Sequence, residues 1–151
     1  MLRGVSRVSM DDKGRFAMPQ RYRASLIQPG SESGNKMVIT ADPSRCLLLY
    51  TLAEWQPIEK QIMSWPSFNV AARKLQRLLV GHADDVEMDA TGRLLVPPAL
   101  RQYASLEKNI VLVGQGNRFE IWDQTRWDDT TEEYASITDA DLPAGMGSFS
   151  L

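Results

Sequence analysis

The sequence predicts a mixed α+β fold in which a small β-rich unit occurs twice, with helices between and after the copies. Three observations predict it. Val8 to Arg23 (VSMDDKGRFAMPQRYR) returns 78 residues later as Val86 to Arg101 (VEMDATGRLLVPPALR), identical at seven of sixteen positions. These are Val8/Val86, Met10/Met88, Asp11/Asp89, Gly14/Gly92, Arg15/Arg93, Pro19/Pro97 and Arg23/Arg101, where ordinary residue frequencies would give roughly one match. Leu47 to Thr51, with Trp55, is echoed by Phe119 to Asp123, with Trp127, at an offset of 72; Leu106 to Asn109 replaces the longer excursion Gln28 to Asn35 and absorbs the difference. Between the copies, two stretches keep helical apolar spacing.

Each element has a local cause. Val8 and Met10 alternate with polar residues as a strand does, and Asp12-Lys13-Gly14 supplies the bend, glycine taking the positive φ that a tight turn needs. Phe16-Ala17-Met18 is the returning strand, and Pro19 opens a helix at its first position, where its missing N–H is not needed. Each copy therefore reads as a hairpin followed by a short helix, with Arg15 or Arg93 just past the bend. Gln28 to Asn35 is a polar, glycine-rich loop, followed by strands Met37 to Thr40 and Cys46 to Tyr50 around the turn Ala41 to Ser44. Thr51-Leu-Ala-Glu54 is a capping-box pattern that starts a helix with Leu52, Trp55, Ile58 and Ile62 on one stripe. Pro57 sits in its second turn, where it costs a hydrogen bond or shifts the start. Ser67 or Asn69 caps a second helix to Leu79, closed by Gly81, with Phe68, Ala71, Ala72, Leu75, Leu78 and Leu79 apolar. Arg73, Lys74 and Arg77 share a face of it, either a solvated surface or one that holds a DNA backbone or an adjacent subunit. After the second motif come strands Ile110 to Gly114 and Arg118 to Trp122, and Asp123 caps a last helix to about Ala135. From Asp139 there is too little apolar spacing to order the tail. Each hairpin is too small to bury its own apolar face, so the two copies must complete one another's core.

A chain of 151 residues is long enough to bury about two thirds of its unfolded surface. Cys46, the lone cysteine, has no partner for an intramolecular disulfide and reads as a buried strand residue. With no run of 18 apolar residues and no apolar signal core, the chain is expected in the cytoplasm with no membrane partner. Net charge is −2, which alone argues against nucleic acid, but the charge is segregated. Arg3 to Arg23 holds six basic residues against two acidic, a net +4, while Phe119 onward holds eight acidic against Arg126, a net −7.

Asp-x-x-x-Arg followed by a strand and proline, at Asp11, Arg15 and Pro19 and again at Asp89, Arg93 and Pro97, resembles the MraZ family of bacterial transcriptional regulators, of the SpoVT/AbrB swapped-hairpin class. The resemblance runs from Leu2 to about Tyr134 and includes Arg73 to Ala83. It implies a duplicated swapped-hairpin body, compact and β-barrel-like, from which the inter-repeat helices project and help join subunits into a ring-like homo-oligomer. It divides the chain into a first repeat (5–52), a helical connection (53–80), a second repeat (81–124), a C-terminal helix (125–138) and a flexible tail (139–151). It further implies a repressor on the nucleoid, bound to short repeated promoter sites in double-stranded DNA upstream of the cell-division and cell-wall gene cluster, its own gene included. No cofactor and no metal are implied.

Arg15 is the first candidate for DNA contact. A major groove admits a two-stranded ribbon, and a guanidinium fork matches either guanine or phosphate. Its spacing from Asp11 permits a bracing ion pair as well as an aiming one. Both readings stand on the residues alone; the family's motif, carried onto Asp11 and Arg15, favours DNA. Lys13 at the bend suits a phosphate, and Arg7 would read the same groove if it faces outward. Asp11, Gly14, Asp89 and Gly92 support the motif. Arg3 and Arg21 are expected to pair or solvate, and Arg23 and Arg101 to share a structural role in their helices. The second hairpin, with Asp84, Asp85, Glu87 and Asp89 against Arg93 and Arg101, stands at −2, so Arg93 is expected to pair or to make a weaker contact. It could also meet the basic first hairpin of a neighbour.

Two rival classes are weaker. His82, the one histidine, lies near Asp84 and Asp85, yet there is no second histidine or cysteine pair for zinc, no nucleophile elbow and no phosphate-binding glycine loop. No catalytic residue is assigned and the chain is not expected to be an enzyme. The alternative is an antitoxin-like or protein-interaction module on the same fold, docking through the acidic C-terminus.

Overall fold

A computed structural model describes residues 1–27, 30 and 34–146. The predicted loop at Gln28 to Asn35 and the end of the tail, 147–151, lie largely outside the described residues. The chain runs β1 (Leu2–Ser9), β2 (Arg15–Ala17), α1 (Gln20–Leu26), β3 (Lys36–Ala41), β4 (Leu47–Thr51), α2 (Leu52–Met63), α3 (Val70–Leu79), β5 (Asp84–Glu87), β6 (Arg93–Leu95), α4 (Pro98–Tyr103), β7 (Asn109–Gly116), β8 (Phe119–Asp123) and α5 (Gln124–Glu132). Two 3-10 turns follow, Tyr134–Ser136 and Asp139–Asp141.

Hairpins β3–β4 and β7–β8 form within a repeat, and every other strand pairing crosses between the two repeats. Six strands form one antiparallel sheet in the order β1-β7-β8-β4-β3-β5, and β2 pairs with β6 in a separate ribbon. In the ribbon Phe16 lies opposite Leu94, its own counterpart in the other repeat; in the sheet Leu48 lies opposite Glu120, again its own counterpart. A pseudo-twofold axis therefore passes through both pairs. It exchanges β1–β7 with β5–β3, so the first strand of each repeat finishes the sheet of the other.

This corrects the predicted hairpin. β1 and β2 share one bridge, Met10 to Phe16, and the bond from the Asp11 amide to the Arg15 carbonyl (2.8 Å); the ladder of β2 is with β6. It also leaves the body unclosed. The sheet ends at β1 and β5, and ribbon strands of three residues are too short to join those edges into a barrel.

Side-chain alternation explains why inner strands β3, β4 and β7 read as apolar runs: both of their faces are covered. Met37, Ile39, Leu47, Leu49, Ile110, Leu112, Phe119 and Ile121 face a central core that also takes Met10, Phe16 and Met18 from one repeat and Met88, Leu94 and Val96 from the other. The intervening residues face helices. Val38, Leu48 and Tyr50 pack with Trp55 of α2, and Cys46, Val111, Val113 and Trp122 pack with Trp127 of α5. Cys46 is fully buried, which pushes its thiol pKa far up and removes its reactivity.

Several boundaries differ from the sequence reading. Pro19 and Pro97 are the caps before α1 and α4, not their first residues, because both stay extended at ψ near 140°. Thr51 caps α2 by accepting from the Glu54 amide at 3.3 Å, and Pro57 is carried inside the helix. Asn69 caps α3 through the Ala72 amide (3.0 Å), which leaves Phe68 before the helix and 86 % exposed, off the apolar stripe. The last helix ends at Glu132 and hands over to a 3-10 turn. Asp139–Asp141 closes on itself as Asp141 accepts from the Thr138 amide at 2.8 Å, local bonding that needs no apolar core.

Phe16 is 2 % exposed at the axis, whereas Leu95 on the outer face of the same ribbon is 45 % exposed. Phe16→Ala is expected to cost about 3–5 kcal/mol in denaturant unfolding, and Leu95→Ala about 0.5 kcal/mol or less. Equal costs would refute the assignment of ribbon faces.

Candidate nucleic-acid interface

The ribbon sets the site. With Phe16 and Leu94 turned into the core, strand alternation puts Arg15, Ala17, Arg93 and Leu95 on the opposite, outer face. Arg15 and Arg93 are thus related by the pseudo-twofold axis on one surface.

The two bends leading into the ribbon are built alike. Gly14 donates its amide to the Asp11 carbonyl (3.0 Å) and Gly92 to the Asp89 carbonyl (2.9 Å), each glycine at positive φ, +89° and +79°. The aspartate side chains then draw in the bend's amides. Asp11 Oδ1 accepts from the Lys13 and Arg15 amides, both at 2.9 Å; Asp89 Oδ1 accepts from the Thr91 and Arg93 amides, both at 2.9 Å. These bonds hold each carboxylate in its charged form. The Arg15 amide chiefly lowers the pKa of Asp11, with both Arg15 and Arg93 adding to it through space. The Arg93 amide chiefly lowers that of Asp89, to about 2, with the Thr91 hydroxyl next.

What differs is the arginine. Arg93 Nε donates to Asp89 Oδ2 at 3.2 Å, an ion pair that lies along the second bend. Arg15, half-buried, gives its side chain no hydrogen bond or ion pair among the described residues, so Asp11 braces the turn and leaves the guanidinium available. Lys13 stands exposed at the tip of the first bend. Arg7 is half-exposed but engaged: its Nη2 meets Asp128 Oδ1 of α5 at 2.7 Å.

A scan against protein-family models matches the chain twice, at residues 1–78 and 79–144, to the family described as "MraZ protein, putative antitoxin-like". The chain belongs to the MraZ family. Relatives named transcriptional regulator MraZ include that of Legionella pneumophila strain Corby, 51% identical over 156 positions, and that of Nitrosomonas europaea, 47% identical over 151; both alignments span 100% of each chain. A third, from Thiobacillus denitrificans, is 46% identical over 151 positions and the whole of both chains. These MraZ relatives carry the name of regulators and not of enzymes.

The two family matches meet at residue 78, between the duplicated motifs, yet the candidate site belongs to neither half alone. The ribbon brings together Arg15, Arg93, Asp11, Asp89, Gly14 and Gly92. Arg7 it does not include, since β1 runs at the far sheet edge beside β7. The sequence reading gave Arg7 no partner; Asp128 lies 121 residues away and no local pattern joins them. It also gave Arg23 and Arg101 a role inside their own helices. Each instead lies over the bend of the other repeat, Arg101 against Gly14 and Arg23 against Gly92. The signal was present in the repeat, where the glycine and the arginine recur together.

The pH dependence follows from Asp89. A carboxylate whose pKa is depressed by folding contributes stability above its ordinary value, and that contribution disappears as pH falls through the folded-state pKa. Asp89→Asn is therefore expected to be less stable than the parent chain at neutral pH, with the gap closing between the ordinary 3.8 and about 2. Urea unfolding at stepped pH measures it, and a gap that persists below pH 2 would contradict the assignment.

Proposed function

We propose that this chain is a DNA-binding transcriptional regulator that presses the outer face of the β2–β6 ribbon into the major groove at repeated promoter sites. The observation that carries the reading is the Arg15 guanidinium, unpartnered among the described residues, on an exposed two-stranded ribbon, flanked by Lys13 and by its counterpart Arg93. A groove about 12 Å wide admits such a ribbon, and an arginine fork pairs with guanine O6 and N7 or spans a phosphate. The names of the relatives support the same reading. Strand exchange between the repeats supports assignment to the swapped-hairpin class.

The finer reading is a cytoplasmic, nucleoid-associated repressor of the cell-division and cell-wall gene cluster that includes its own gene. It acts as a ring-like homo-oligomer, so that several ribbons meet several repeats and avidity multiplies a weak single contact. The repeats (5–52 and 81–124) form the DNA-facing body, the helical connection (53–80) serves contacts between subunits, and the C-terminal helix (125–138) follows the second repeat. Arg93 enters the DNA contact second, because it must first leave Asp89. Arg7 must likewise leave Asp128.

Arg15→Ala is expected to weaken binding to promoter repeats by roughly 5- to 150-fold, with the unfolding midpoint unchanged, and to flatten the salt dependence by about 0.9 for each phosphate that the side chain no longer neutralises. Undiminished, salt-sensitive binding by that variant would overturn the reading. Asp128→Asn is expected to tighten binding by freeing Arg7, read in the same titration. The antitoxin-like wording of the family description favours a second reading, a protein-binding module docking through the acidic C-terminus. Deleting residues 139–151 separates the two: the regulator keeps its DNA affinity, and the module loses its partner.

A further inference from the structure

The bend that presents Arg15 is held from outside its own repeat. Gly14 is buried, and its carbonyl accepts from the Val96 amide of the second repeat at 2.8 Å. On its other side, a Cβ built at Gly14 would stand 2.6 Å from both Nε and Cζ of Arg101 and 2.8 Å from Nη1, so the guanidinium plane of α4 lies flat against the bend. Arg101 Nε is buried and donates to no described residue. Packing on the bend, and no competing hydrogen bond, fixes where that group sits.

The symmetric contact is built differently. Arg23 covers Gly92 in the same way, and the Gly92 carbonyl accepts from the Met18 amide at 2.8 Å, but Arg23 Nε donates to the Met18 carbonyl, also at 2.8 Å. It is anchored within its own repeat. On that side the arginine past the bend is already tied to Asp89, so the second bend has two supports of its own. The first bend keeps the two Asp11 amide bonds but has no such ion pair, so the Arg101 guanidinium is the contact that supplements them.

We infer that Arg101 is a positioning residue for Arg15: the second repeat contributes to DNA binding by fixing the first repeat's bend, as well as through any contact of Arg93. The inference rests on the reading of Arg15 as the DNA contact. It gives the duplicated, acidic second hairpin a task that does not require it to approach phosphate. It also bears on the glycine: φ at +89° strains any side chain at position 14, and a Cβ there would push the Arg101 guanidinium off the bend.

The test compares R101K with its symmetric partner R23K in the full-length chain, beside R15A. Both lysine variants keep charge and lose the planar surface. Three readouts are taken: titration of a promoter-repeat duplex, hydrogen exchange of the bend amides by NMR, and the thermal midpoint. R101K is expected to speed exchange at Gly14 and Arg15 and to weaken DNA binding about tenfold, within the range that one arginine fork contributes. R23K is expected to speed exchange at Gly92 and Arg93 while DNA affinity stays within about twofold. A purely structural role would shift both midpoints alike and move the two affinities together, and that result overturns the inference. So does R101K with unchanged exchange at the first bend. Should R101K fail to fold, R101M keeps the methylene stem and is read by the same two arms. An R15A chain that binds like the parent would instead sink the DNA reading, a failure visible separately from the exchange data.

Discussion

The pairing of Phe16 with Leu94 is the constraint on which the rest of this structure depends. A three-residue strand gains little from its own ladder, and β2 and β6 are each that short. They persist because the residue at the centre of each is driven into a core that neither repeat can fill alone. Once Phe16 and Leu94 face inward, period-2 alternation leaves no choice for their neighbours. Arg15 and Arg93 must face out, on one surface, related by the axis that the central pair defines. The geometry of the candidate interface is thus a by-product of burying two apolar side chains.

The bends then show how one motif can be tuned in two directions. Asp11 and Asp89 do the same work on the backbone, each gathering two amides of its turn. Asp89 adds a bond to the arginine side chain, and Thr91 adds its hydroxyl to the same carboxylate at 2.8 Å. In the first bend Lys13 stands in place of Thr91 and contributes charge where the threonine contributes a bond. The first copy has thereby exchanged internal satisfaction for an outward-facing cation. In a tandem duplication the two halves can diverge in this way, since each needs only to keep what the other's core requires.

Much of this was legible in the sequence, and the part that was not has a common cause. The turn glycines and the Thr51 and Asp123 caps rest on local chemistry, and the duplication on direct comparison of the two copies; the structure bears these out. The Pro19 boundary was one residue out because a proline can cap as readily as it can begin a helix. The partner of β2 was misread because hairpin logic favours the nearest strand, and nothing within one copy says that its strand belongs to the other. The Arg101 to Gly14 packing and the Arg7 to Asp128 ion pair cross 87 and 121 residues of chain. Side chains brought together only by tertiary structure leave no periodic trace.

Arg7 bears on how an acidic protein meets a polyanion. The excess of acid lies in α5 and beyond, and the first strand's arginine is turned toward it. An exposed ion pair of this kind is weak and is screened by salt. On the DNA-binding reading proposed above, a phosphate at Arg7 would have to displace Asp128 against the repulsion of the neighbouring carboxylates, so Arg7 would engage only once the ribbon had done so. Under that reading the arrangement would favour contacts made by the ribbon over diffuse attraction to any nucleic acid. Segregation of charge along the chain would then become selectivity in space, the acidic helix holding Arg7 through Asp128 until a second point of attachment outweighed that pair.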